Sequence, residues 1–108
     1  MIIFSDSEFV SQGWPGSGSP TDPYRIENLQ INASETIENG IHIRNTQASF
    51  IIQNCSIHSA DYFSGIYLFD VVNGTLCNNT LFGSYGENGV KILGSTNISV
   101  INNTFRET

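Results

Sequence analysis

Three side chains able to carry protons or hold an acidic sugar recur at one spacing. His42, Tyr67 and Lys91 follow one another at intervals of 25 and 24 residues. Each sits in a Gly-aliphatic-x-aliphatic unit: Gly40-Ile41-His42-Ile43, Gly65-Ile66-Tyr67-Leu68 and Gly89-Val90-Lys91-Ile92. An imidazole, a phenol and an ammonium on one face suit general acid–base work or the binding of a carboxylated saccharide. Carboxylate pairs do not accompany them: Asp70 follows Leu68 by two, and the matching positions hold Asn45 and Gly94. The alternative is an ordinary mixed surface column.

A second cluster joins two loops at matching places in successive repeats, Asp61-Tyr62-Phe63 and Tyr85-Gly86-Glu87. Rings beside carboxylates can stack on sugar faces and accept hydrogen bonds from hydroxyls, so Asp61, Tyr62, Phe63, Tyr85 and Glu87 form a candidate glycan patch. The same rings could instead pack over the edge of the repeat. His58 and Cys55 lie three apart, but two ligands do not make a soft-metal site. No metal or cofactor is expected. Cys55 and Cys77 fall in adjacent repeats, offset by two residues. Strand and sheet spacings place them about 8 Å apart, beyond the roughly 7 Å Cα limit of a disulfide, so two free thiols are expected.

These residues are positioned by a repeat. Ile26-Glu27-Asn28-Leu29-Gln30-Ile31, Ile52-Gln53-Asn54-Cys55-Ser56-Ile57, Leu76-Cys77-Asn78-Asn79-Thr80-Leu81 and Val100-Ile101-Asn102-Asn103-Thr104-Phe105 align at spacings of 26, 24 and 24. Two registers agree on one period, too short for a four-stranded propeller blade and suited to one coil of a β-solenoid. Alternation puts Ile41 and Ile43, Ile66 and Leu68, and Val90 and Ile92 inside, with His42, Tyr67 and Lys91 outside. Stacking buries these faces, which no single coil could bury alone. Asn28, Asn54, Asn78 and Asn102 read as a corner whose inward amides form a hydrogen-bonded ladder. Gly40, Gly65 and Gly89 read as a second corner with positive φ. The expected fold is all-β: a right-handed single-stranded parallel β-helix of about four coils, rising about 4.8 Å each.

Composition agrees. Asn, Ser, Thr and Gly total 43 of 108 residues, and Ile, at 14, outnumbers Leu and Ala together. That excludes a helical bundle. The net charge of −6 with only four basic residues argues against nucleic acid and against an anionic membrane surface as partners. No apolar run approaches a membrane span, and Met1-Ile2-Ile3-Phe4 is too short for a signal sequence. Six sequons, at Asn32, Asn54, Asn73, Asn78, Asn97 and Asn102, read as by-products of turn chemistry, several with inward side chains.

The Asn-Asn-Thr and Gly-aliphatic-x-aliphatic units resemble right-handed parallel β-helix repeats of the NosD and carbohydrate-binding/sugar-hydrolase type. The resemblance spans Gly13 to Thr108, with Gly16 to Ile26 resembling the segment that enters the first coil. It implies the fold closely and the function only broadly, since such proteins include polysaccharide lyases, hydrolases, surface proteins and accessory factors. It implies a cell-surface or secreted setting, whereas free cysteines also permit the cytoplasm. Lyase-type members combine a basic residue with acidic calcium ligands, a set not matched here.

Residues 1–23 are expected to cap the stack through Ile2, Ile3, Phe4, Phe9, Val10 and Trp14, and residues 24–108 to form the coils. The last coil, with Val100 and Phe105, is expected to pair with a second copy as a homodimer; the alternatives are truncation of a longer protein or a frayed monomeric end. The functional expectation is a non-catalytic structural or binding module, acting by self-association or by glycan or protein binding. The alternative is a carbohydrate-active enzyme fragment of lyase or hydrolase type.

Overall fold

A computed structural model of the chain describes residues 1–83 and 89–107. Its elements, in chain order, are β1 (Ile2–Ile3), α1 (Asp6–Ser11), β2 (Tyr24–Glu27), β3 (Gln30–Asn32), β4 (Ile41–Gln53), β5 (Ser56–His58), β6 (Ile66–Cys77), β7 (Thr80–Gly83), β8 (Val90–Leu93), β9 (Ile98–Ile101) and β10 (Thr104–Glu107). Every pairing between these strands is parallel, and together they build three walls of a solenoid. The first wall stacks β1, the front half of β4, the front half of β6, and β8. The second stacks β2, the rear halves of β4 and β6, and β9. The third stacks β3, β5, β7 and β10.

Each wall has four rungs, and four rungs enclose about three turns, one fewer than the count of repeat units suggests. The core is the aliphatic interior. Ile26, Ile41, Ile43, Ile52, Ile57, Ile66, Leu68 and Leu76 are all fully buried. One of the two extra residues in the 26-residue spacing has a local cause in β4. Thr46 pairs with Val71 and Ser49 with Asn73, so β4 carries one extra residue in a bulge at Gln47 and Ala48. The bulge lets the wall-to-wall corner absorb an insertion without shifting the rungs on either side.

Both corners are made by left-handed residues, but only one lies where the sequence suggests. Asn28, Asn54, Asn78 and Asn102 turn the chain from the second wall to the third, with φ between 54° and 60°. Asn adopts this conformation at little cost. The turn from the first wall to the second is made by Asn45, Asp70 and Gly94, with φ of 59°, 54° and 56°. The Gly40, Gly65 and Gly89 column, expected to have positive φ, is absent from the positive-φ residues. Its requirement is space. A Cβ on Gly40 would stand 2.4 Å from Ile57 Cγ2 and 2.6 Å from the Gly65 carbonyl oxygen. One on Gly65 would stand 2.6 Å from Leu81 Cδ2, and one on Gly89 2.2 Å from Phe105 Cδ1. The large core residues of the third wall fill the space where a side chain would go.

The inward amide ladder is also displaced from the expected column. Asn28, Asn54, Asn78 and Asn102 are exposed. The buried amides belong to the next residue. Asn79 is 1% exposed. Its Oδ1 accepts from the Cys55 N–H at 3.0 Å, and its Nδ2 donates to the Ile52 carbonyl at 3.0 Å and to Asn103 Oδ1 at 2.9 Å. Asn103 Nδ2 donates in turn to the Leu76 carbonyl at 2.9 Å. The left-handed residue reverses the side-chain alternation, so the residue after it points inward. Leu29 and Cys55 occupy the same column in the lower rungs.

The lower end is covered by β1 and α1. Ile3 and Phe9 are fully buried. Phe9 stacks on Tyr24 with centroids 4.5 Å apart and packs beside Phe50 at 6.0 Å. Asp6 fixes α1 to the bulge by accepting from the Thr46 hydroxyl and from the Gln47 N–H. Ile2 and Phe4 lie on the outer face of the first wall, and Val10 is 67% exposed, so these three do not cover the stack end. Among the described residues no helix is long and apolar enough to cross a membrane.

Candidate binding face

The first wall presents two outward columns. One runs Ile2, His42, Tyr67, Lys91. The other runs Arg44, Phe69, Leu93, with Phe4 beneath Arg44. Alternation along each short strand makes this inevitable: the neighbours Ile41, Ile43, Ile66 and Leu68 all face the core. His42, Tyr67 and Lys91 are therefore one stacked column, as their spacing suggests.

The rings and cations interlock. His42 meets Phe4 edge to face at 4.9 Å and Tyr67 at 4.7 Å. The Arg44 guanidinium lies between two rings, 5.5 Å from the Phe4 centroid and 4.9 Å from that of Phe69. Such cation–π contacts hold the cation against the wall while keeping its charge at the surface. Burial pushes the His42 imidazole below its ordinary value of 6.5, and the positive charges of Arg44 and the chain amino terminus push it the same way. His42 Nε2 and Arg44 Nε are buried without a hydrogen-bond partner among the described residues. The imidazole is thus neutral near pH 7 and its Nε2 is shielded from solvent. It serves better as a ring in the column than as a proton carrier. No carboxylate stands among these eight outward positions. Glu8, which accepts from the Phe4 N–H at 2.6 Å, and Asp70 mark the borders.

The other candidates are placed differently. Asp61 and Tyr62 are exposed and Phe63 is half-buried in a tight turn, closed by the Phe63 N–H donating to the Ala60 carbonyl at 3.1 Å. Tyr62 is 70% exposed and left-handed, with φ of 68°. Tyr85 and Glu87 lie outside the described residues. His58 stands on the outer face of the third wall, stacked flat on Phe82 at 4.3 Å and 9°. Both cysteines are free. Cys55 is buried in the ladder column, and burial raises its thiol above the ordinary range despite hydrogen bonds from the Leu29 and Asn28 backbone. Cys77 lies on the outer side of the second wall, 3.8 Å from Gln53 Oε1. Among the described residues no group of three His, Cys, Asp or Glu converges on a point. Arg44, Phe69 and Leu93 follow His42, Tyr67 and Lys91 by two and stand beside that column, as the spacing implies. Phe4, expected to cap the stack, is the residue that the sequence did not place on this face.

A family model described as "Right handed beta helix region" matches residues 16–108. The chain belongs to the right-handed β-helix family. Its parallel walls, left-handed corners and stacked aliphatic columns are the structural counterpart of that match. No curated protein and no solved structure matches this β-helix.

Proposed function

We propose that this β-helix is a non-catalytic binding module whose first wall holds an acidic glycan. One observation carries the reading. In a chain of net charge −6, two of the four Lys and Arg residues share one face with three aromatic rings, and among the described residues no carboxylate holds one of its outward positions. Arg44 and Lys91 would meet the uronate carboxylates, while Phe4, Tyr67 and Phe69 would lie against the pyranose C–H surfaces. The shielded Nε2 of His42 favours binding over acid–base chemistry. The carbohydrate-active alternative would need Tyr67 or Lys91 to move protons without that histidine.

A glycan array carrying neutral and acidic oligosaccharides tests the proposal. Retention of uronate-containing glycans, lost at least tenfold in Arg44→Gln and Lys91→Gln, is the expected result. Equal binding by wild type and both variants would overturn it, as would turnover of the retained glycan.

Self-association is a second reading with its own support. Val100 and Phe105 continue columns whose lower members, Ile52, Leu76, Ile57 and Leu81, are buried, yet they are 47% and 54% exposed. Two copies meeting on the β9 and β10 rung would cover them and pair the backbone edge of that rung. A monomeric mass by light scattering at micromolar concentration would count against it.

A further inference from the structure

The third wall carries a surface depression unrelated to the acidic-glycan reading. We propose that it is a second binding site, for a neutral sugar of one or two rings. The depression is open to solvent, has a volume of about 310 Å³ and is lined by Gln30, Ile31, Asn32, Ser56 and His58. Four of these are outward side chains on β3 and β5, in register as Gln30 with Ser56 and Asn32 with His58. They form a two-by-two lattice, with rungs about 4.8 Å apart and alternate residues about 6.6 Å apart along the strand.

The chemistry of the lining selects the ligand. Two amides, a hydroxyl and an imidazole supply both donors and acceptors, and no Lys, Arg, Asp or Glu lines the depression. A sugar hydroxyl is itself both donor and acceptor, so a polyol matches such a surface better than an ion does. Among the described residues the side chains of Gln30, Ser56 and His58 have no hydrogen-bond partner within the chain. Asn32 Oδ1 is occupied, accepting from the Ser34 N–H at 3.0 Å and the Ser34 hydroxyl at 2.6 Å. Its Nδ2 is left to donate outward. One imidazole face of His58 lies on Phe82, 4.3 Å away and tilted by 9°. That contact fixes the ring plane and leaves the other face toward Asn32 and the depression, as a small platform for sugar C–H groups. The volume lies at the small end of ligand pockets, which limits the occupant to a mono- or disaccharide. The column's cation, Arg106, stands one rung beyond Phe82, away from the lining.

Saturation-transfer NMR with glucose, galactose, N-acetylglucosamine and glucuronate as probes tests this site. At least one neutral sugar should bind with about millimolar affinity. His58→Ala and Gln30→Ala should each weaken it at least fivefold, and both are surface changes whose folding is checked by circular dichroism. Arg44→Gln should leave neutral-sugar binding unchanged, which separates this site from the first wall. If none of the three neutral sugars gives a signal, or if His58→Ala and Gln30→Ala bind like wild type, the assignment fails. Loss of neutral-sugar binding in Arg44→Gln would move the site to the first wall and also overturn it.

Discussion

Asn79→Ala is the sharpest perturbation of the fold. The substitution removes an amide that is 1% exposed. Two backbone groups then lose their partners, the Cys55 N–H and the Ile52 carbonyl, and Asn103 Oδ1 loses one of its donors. Leaving a buried polar group unsatisfied costs about 1–3 kcal/mol. Two such groups give about 2–6 kcal/mol, a large share of the roughly 5–15 kcal/mol that holds a domain of this size. Asn78→Ala is the matched control one residue earlier. Asn78 is exposed, with φ of 55°, so the change loses only part of the left-handed tolerance, about 1 kcal/mol. Urea unfolding of both variants at equal m-value measures the difference. Asn79→Ala should lower stability at least twice as much as Asn78→Ala. Equal losses, or a larger loss at Asn78, would refute the placement of the ladder.

Three further outcomes are expected. Gly65→Ala drives a methyl to within 2.6 Å of Leu81 Cδ2 and 3.0 Å of the Gly89 carbonyl; it should destabilise by about 1–3 kcal/mol in the same urea assay. Because the folded chain holds the His42 imidazole below its ordinary 6.5, the unfolded state takes up the proton first as pH falls. Stability should therefore drop as pH falls below about 6.5, and the fall between pH 8 and pH 5, followed by urea midpoints, should be shallower in His42→Gln. Iodoacetamide applied to the folded protein should label Cys77 well before the buried Cys55, with the order read by peptide mass mapping.

The period of the chain was legible because it is written twice, in the Asn-bearing units and in the Gly-bearing ones. It places Ile41, Ile66 and their partners in the core and His42, Tyr67 and Lys91 on one outer face. What remained hidden has physical causes. A glycine column signals either backbone freedom or lack of room, and residue type does not separate the two; only the position of Ile57, Leu81 and Phe105 decides for room. The ladder was misplaced because Asn78 is matched by Asn in all four repeats, whereas Asn79 is matched by Leu29 and Cys55. The invariance marks the backbone corner, and the apolar partners mark the interior. Four units encompass three turns because a stack of rungs has one fewer interval than rungs. Phe4 was not legible as part of this face, because it precedes the first repeat unit and only the pairing of β1 with β4 brings it under Arg44.

The claim that the first wall is a binding face for acidic glycans is tested most directly by ¹⁵N-resolved NMR titration with an oligouronate. Shifts concentrated on His42, Arg44, Tyr67, Phe69 and Lys91, shrinking as salt is added, are the predicted result. Shifts absent from these residues, or confined to the third wall or the β9 and β10 rung, would contradict it.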